Sequence, residues 1–69
     1  MITNDRGMPS RILEVVGMLA EGQTAKEIAR ALGISPNTVN SYVQTARDIT
    51  GAKNTTAMVA CAMRRGWIQ

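Results

Sequence analysis

Residues 24–50, TAKEIARALGISPNTVNSYVQTARDIT, leave this chain few ways to fold. Thr24 and Glu27 make T-x-x-E, a capping box in which each side chain satisfies the other residue's free backbone N–H. Ala25, Ile28, Ala29 and Leu32 follow at helical spacing and predict one apolar stripe. Gly33 is placed to stop that helix in the left-handed conformation. Ser35 is then a second N-cap, and Pro36 fits the first helical position, where no N–H is needed. Ile34 and Val39 flank this cap at the spacing of a hydrophobic staple. Only Ile34 and Ser35 separate Gly33 from the next helix. The two helices must therefore cross steeply, as in a helix-turn-helix.

The second helix can be tested by angle, at about 100° per residue. Val39, Tyr42, Val43, Ala46 and Ile49 fall on one side. Asn37, Asn40, Ser41, Gln44 and Asp48 fall on the other. The outward residues are mostly amides and hydroxyls, not the Glu/Lys mixture of an ordinary solvated face. Amide side chains pair two-pronged with adenine in the major groove, and Ser donates to or accepts from several bases. Any amphipathic helix has a polar face, so this helix alone does not choose between DNA reading and plain solvation. The spacing of Ala29, Gly33 and Val39 does. A small residue lets the helices approach, a glycine makes the turn, and a β-branched residue wedges beneath.

Sixty-nine residues make one domain near the lower size limit for independent folding. With 45% hydrophobic residues but no Phe, one Trp and one Tyr, the core must be aliphatic, with Met filling gaps. No apolar run is long enough for a membrane span, and no apolar signal region opens the chain, which favours a cytoplasmic protein. A net charge of +3 suits a polyanionic partner without demanding one. No His and one Cys exclude a disulfide framework and argue against a zinc site. No phosphate loop or nucleophile–base pair is present, so neither an enzyme nor a cofactor is expected.

Residues 1–7 have no periodicity and read as a flexible arm or the remnant of a linker. Residues 8–21 read as the first helix, with Ser10 as N-cap after Pro9 and Gly22 as its stop. Ile12, Val15, Val16 and Leu19 supply its core stripe. Gly17 either marks close packing against another helix or nothing. Glu14 is either solvated or half-buried beside a basic residue.

Gly51 ends the recognition helix, and Asn54 or Thr55 caps a last helix that runs to about Arg65. Gly66 stops it, and Trp67 and Ile68 can fold back on its last turn. Arg64 and Arg65 sit at the negative end of that helix dipole, which explains them without any contact to DNA. Residues 57–63 are apolar all round the helix. A helix on so small a domain should be apolar on one face. A second buried face, a dimer seam at Ala57, Ala60, Cys61 and Arg64, would explain the pattern; tolerated exposed alanines would too. Cys61 reads as a small buried or half-buried residue, not a redox switch.

These features resemble the LuxR/FixJ/GerE family of bacterial DNA-binding domains. The resemblance rests on Glu14-Val15-Val16, Leu19-Ala20-Glu21-Gly22 and Lys26-Glu27-Ile28-Ala29, then on Leu32-Gly33-Ile34-Ser35 and Thr38-Val39. It continues through Gly51, Asn54, Thr56 and Arg64-Arg65-Gly66-Trp67-Ile68. It implies an all-α, four-helix domain over residues 8–69, with a tri-helical helix-turn-helix core and a C-terminal dimerisation helix. It implies a transcription regulator that binds double-stranded promoter DNA as a homodimer, with the helix over about 36–49 in the major groove. By the resemblance, Asn40, Ser41 and Gln44 face bases. Thr24, Lys26, Ser35, Asn37, Thr38, Arg47 and Lys53 lie where phosphates pass.

The chain departs from the family's wording in places. Asn40 and Gln44 stand where Lys or Arg is frequent, which leans the readout towards adenine and predicts a shallower salt dependence. Tyr42 stands where His is frequent, and Thr50 replaces a common Leu, with Ile49 available to take over its packing. The resemblance leaves room for RNA polymerase and for an N-terminal regulatory domain as partners. Asn54-Thr55-Thr56 and the Ala-rich last helix lean towards the quorum-sensing branch. The alternatives are a sigma-like promoter-recognition module attached to RNA polymerase, and a protein-interaction module working through the last helix.

Overall fold

A computed structural model of the chain describes residues 8–68. The expected N-terminal arm, residues 1–7, lies outside them. Among the described residues there are helices and turns and no strand: α1 (Ser10–Ala20), α2 (Ala25–Leu32), α3 (Pro36–Thr50) and α4 (Thr55–Arg64).

Local chemistry sets these boundaries. At α2 both halves of the capping box form: Glu27 N donates to Thr24 Oγ1 at 3.2 Å, and Thr24 N donates to Glu27 Oε1 at 2.8 Å. At α3, Ser35 Oγ accepts from Thr38 N at 3.1 Å, with Pro36 as the first helical residue. At α4 the cap is Asn54, whose Oδ1 accepts from Ala57 N at 2.8 Å. The start of α1 differs from expectation. Its N-cap position falls on Pro9, and Ser10 is already helical. A Pro-Ser pair offers both a ring fixed near helical φ and a capping hydroxyl. Here the helix takes the earlier start, and the Pro9 carbonyl accepts from Leu13 N at 2.9 Å.

One closing device recurs at the other ends. Gln23, Ile34, Ala52 and Trp67 each donate a backbone N–H to the carbonyl five residues earlier, on Met18, Ala29, Arg47 and Ala62, at 3.0–3.1 Å. This closure needs a left-handed residue just before the donor. At Gly33 (φ 70°) it turns the chain from α2 into α3 within three residues, Gly33, Ile34 and Ser35. At Gly66 (φ 74°) it folds Trp67 back onto the core, where only 8% of it is exposed.

The core has two lobes. Val15, Ile28, Ala29 and Val39 form the one between α1, α2 and α3, with Ile34 packed against it as the staple requires. Met8, Ile12, Val16, Ala46, Met58, Ala62 and Trp67 form the other, between α1, α3 and α4. Leu19, Tyr42 and Val43 pack against both lobes and join them. Met8 lies before α1 and is fully buried, a role its place at the edge of the helical pattern did not signal. Ile49 packs on the larger lobe, while the Thr50 hydroxyl donates back to the Ala46 carbonyl at 2.9 Å. A side chain built at Gly17 would meet Ile68 Cγ2 at 3.9 Å, so this glycine faces the folded-back tail rather than another helix. Glu14 is exposed and pairs with Arg11 at 3.0 Å, and Arg11 also reaches the Leu32 carbonyl at 3.3 Å. Arg11 thereby ties α1 to the end of α2.

Candidate nucleic-acid interface

The inner face of α3 is fixed by burial: Val39 and Ala46 are inaccessible to solvent. Its opposite face therefore has one direction in which to point. Asn37, Asn40, Ser41, Gln44 and Asp48 are all exposed there. Asn40, Ser41 and Gln44 occupy neighbouring i, i+1, i+4 positions, so their polar ends form one compact patch. Asp48 extends this patch by one turn. Its carboxylate accepts from Gln44 Nε2 at 3.1 Å, a contact between two sequence-selected face residues that the angular reading did not identify. The i, i+4 spacing of Gln and Asp carried that signal.

The surrounding groups divide by what already occupies them. The Thr24 and Ser35 hydroxyls are caps, and Ser35 Oγ also lies 2.9 Å from Thr38 Oγ1. Lys26, Asn37 and Lys53 are exposed, and Thr38 is half-buried. Arg47 is half-buried, and its guanidinium donates to the Lys53 carbonyl at 2.7 Å. Its own carbonyl accepts from Gly51 and Ala52. Side chain and main chain of Arg47 together hold the α3–α4 connection that carries Lys53. A helical wheel places Arg47 on the flank but cannot show this tertiary bond.

The two helix N-termini differ electrostatically. Glu27 sits in the first turn of α2 and partly neutralises its positive end, whereas the first turn of α3 has no acid. The start of α3 is accordingly the better seat for a phosphate.

Of the expected seam residues, Ala60 and Arg64 are exposed and Ala57 is half-buried. Cys61 is buried within the domain, at 8% exposure, and needs no second subunit to cover it. The outward apolar residues of α4 are Ala60 and Met63, the latter 44% exposed. With Val59 and Thr56 they border a groove of about 370 Å³ that runs to Leu19 and Ala20 of α1 and has no charged lining residue. No group of metal-ligating side chains occurs among the described residues, and no described helix is long and apolar enough to cross a membrane.

Two capped helices joined at Gly33, with a locked inner face and an exposed face of amides and hydroxyls, define a helix-turn-helix domain of the DNA-binding class. Residues 9–62 match the family model described as "Bacterial regulatory proteins, luxR family", and the chain belongs to that family. It is also similar to the "Uncharacterized transcriptional regulatory protein YvfU" of Bacillus subtilis (strain 168), with 31% identity over 68 residues. That alignment covers 99% of this chain and 34% of the relative, so the chain spans about a third of its length. No solved structure gives a significant match. The family is a class of transcription regulators, not a class of enzymes, and its membership supports DNA binding in transcription regulation.

Proposed function

We propose that the chain binds double-stranded DNA sequence-specifically, with α3 in the major groove and Asn40, Ser41 and Gln44 against base edges. The observation that carries this reading is the exposed, compact polar patch on a helix whose opposite side is anchored in the core by the fully buried Val39 and Ala46. Rigid placement of a few hydrogen-bonding side chains is what base reading requires. Lys26, Lys53, Asn37 and Thr38, with the α3 N-terminus near Ser35 and the α2 N-terminus near Thr24, take the phosphates. Arg47 serves this contact through the connection it braces.

The uncharged groove on α4 supports pairing of two copies, centred on Ala60, Met63 and Val59 rather than on Cys61; the half-buried Ala57 and the exposed Arg64 belong to the same proposed seam. A two-fold pair would present its recognition helices to half-sites about one helical turn apart. A cytoplasmic location and an upstream regulatory domain belong to the same reading. The same groove also suits the competing reading, a protein-interaction or sigma-like module. In that case the chain would associate with a protein partner such as RNA polymerase core and would not select DNA.

The test is selection of bound duplexes from a random pool by the purified chain, followed by titration at two salt concentrations. The expected result is a pseudo-palindrome with adenine in each half-site and a shallow salt dependence. Binding without sequence enrichment that modest salt abolishes would reject base reading.

A further inference from the structure

The Gln44–Asp48 bond bears on what the recognition helix can read. A primary amide presents one acceptor and two donor hydrogens, and its two ends are sterically alike, so a free Gln samples both orientations. A carboxylate only accepts. With Asp48 Oδ1 3.1 Å from Gln44 Nε2, the nitrogen end must face Asp48. One N–H is then spent on the carboxylate, leaving Gln44 Oε1 and the second N–H for the solvent side. That acceptor–donor pair complements the N6 donor and N7 acceptor of adenine, and it does not complement the two acceptors of guanine. Both residues are exposed and lie one turn apart on the face opposite the core, and among the described residues neither side chain makes another hydrogen bond. Asp48 also places a negative charge beside the patch, where it opposes phosphates of every sequence alike.

We propose that Asp48 is a positioning residue for base choice: it holds the Gln44 amide in one orientation and so commits that position to adenine. The inference rests on the reading of α3 as the base-contacting helix. Its two effects separate by experiment. The charge of Asp48 weakens binding to all duplexes equally, while its grip on Gln44 alters only the ratio between bases at one position.

The experiment is duplex selection and titration at matched salt for the parent chain and for Gln44→Ala, Asp48→Asn and Asp48→Glu, with helical content checked by circular dichroism. Asp48→Asn removes the charge and accepts either amide orientation. It is expected to tighten binding to every duplex yet lower the adenine preference at the Gln44 position by about 1.5- to 2.5-fold, the range of an exposed i, i+4 pair of this kind. Asp48→Glu keeps an acceptor-only partner and is expected to retain the preference. Gln44→Ala is expected to abolish it. If Asp48→Asn tightens all duplexes and leaves the adenine preference at the parent value, Asp48 is only a charge and the proposal is overturned. A parent chain that prefers no base at any position would instead overturn the underlying reading, and the proposal with it.

Discussion

The outward faces of α3 and α4 are built on the same kind of support and carry opposite chemistry. Each helix is anchored in the core by fully buried residues, α3 by Val39 and Ala46, α4 by Met58 and Ala62. On α3 the exposed side offers Asn40, Ser41 and Gln44, groups that form directional hydrogen bonds. On α4 it offers Ala60, Met63 and part of Val59 beside an uncharged groove. A polar patch loses its hydrogen bonds to water unless a partner replaces them, so it favours a surface with a matching donor–acceptor pattern. An apolar patch gains from losing water and favours shape over pattern. One small domain can thus separate a surface suited to base edges from a surface suited to protein.

This contrast can be broken first at the core. Met58 and Met63 lie on opposite sides of α4, fully buried and 44% exposed respectively. Met58→Ala is expected to destabilise the domain by about 2–5 kcal/mol, while Met63→Ala should stay within about 0.5 kcal/mol, both by urea unfolding. Equal losses would mean that α4 is rotated or covered differently. A smaller effect should follow from a charge on the outward side. Ala60→Glu is expected to keep the monomer fold and to weaken binding to a full palindrome by about 5- to 150-fold relative to a single half-site, the usual range of coupling between sites. Unchanged cooperativity on the palindrome would remove the α4 groove from the pairing surface. Cys61→Glu is a poorer probe, because Cys61 is buried and a carboxylate there would disturb folding as well.

How much of this was legible in the sequence depended on the range of the interaction. The caps at Thr24, Ser35 and Asn54 and the left-handed glycines at positions 33, 51 and 66 are local, so residue type and spacing sufficed. The α3 faces were legible because Val39, Val43 and Ala46 contrast with Asn40, Ser41 and Gln44. Residues 57–63 lack that contrast. Ala, Cys and Met tolerate either side, so the rotation of α4 had to come from packing of Met58 and Ala62 with Trp67 and α1. That is why Cys61 faces inward although the sequence suggested a seam. The Arg47 bond to the Lys53 carbonyl depends on how the chain leaves α3, which no helical wheel contains. The Gln44–Asp48 pair has the i, i+4 spacing of a helix contact, a signal that sorting residues by face alone does not contain.

The central claim is that α3, not α4, faces DNA. It is tested most directly by following the amide signals of the chain in NMR as a selected duplex is added. The largest shifts are expected on the side-chain amides of Asn40 and Gln44 and on the backbone N–H groups at the start of α3, with Lys26 and Lys53 next. Shifts confined to residues 55–64 of α4, with α3 unchanged, would contradict it.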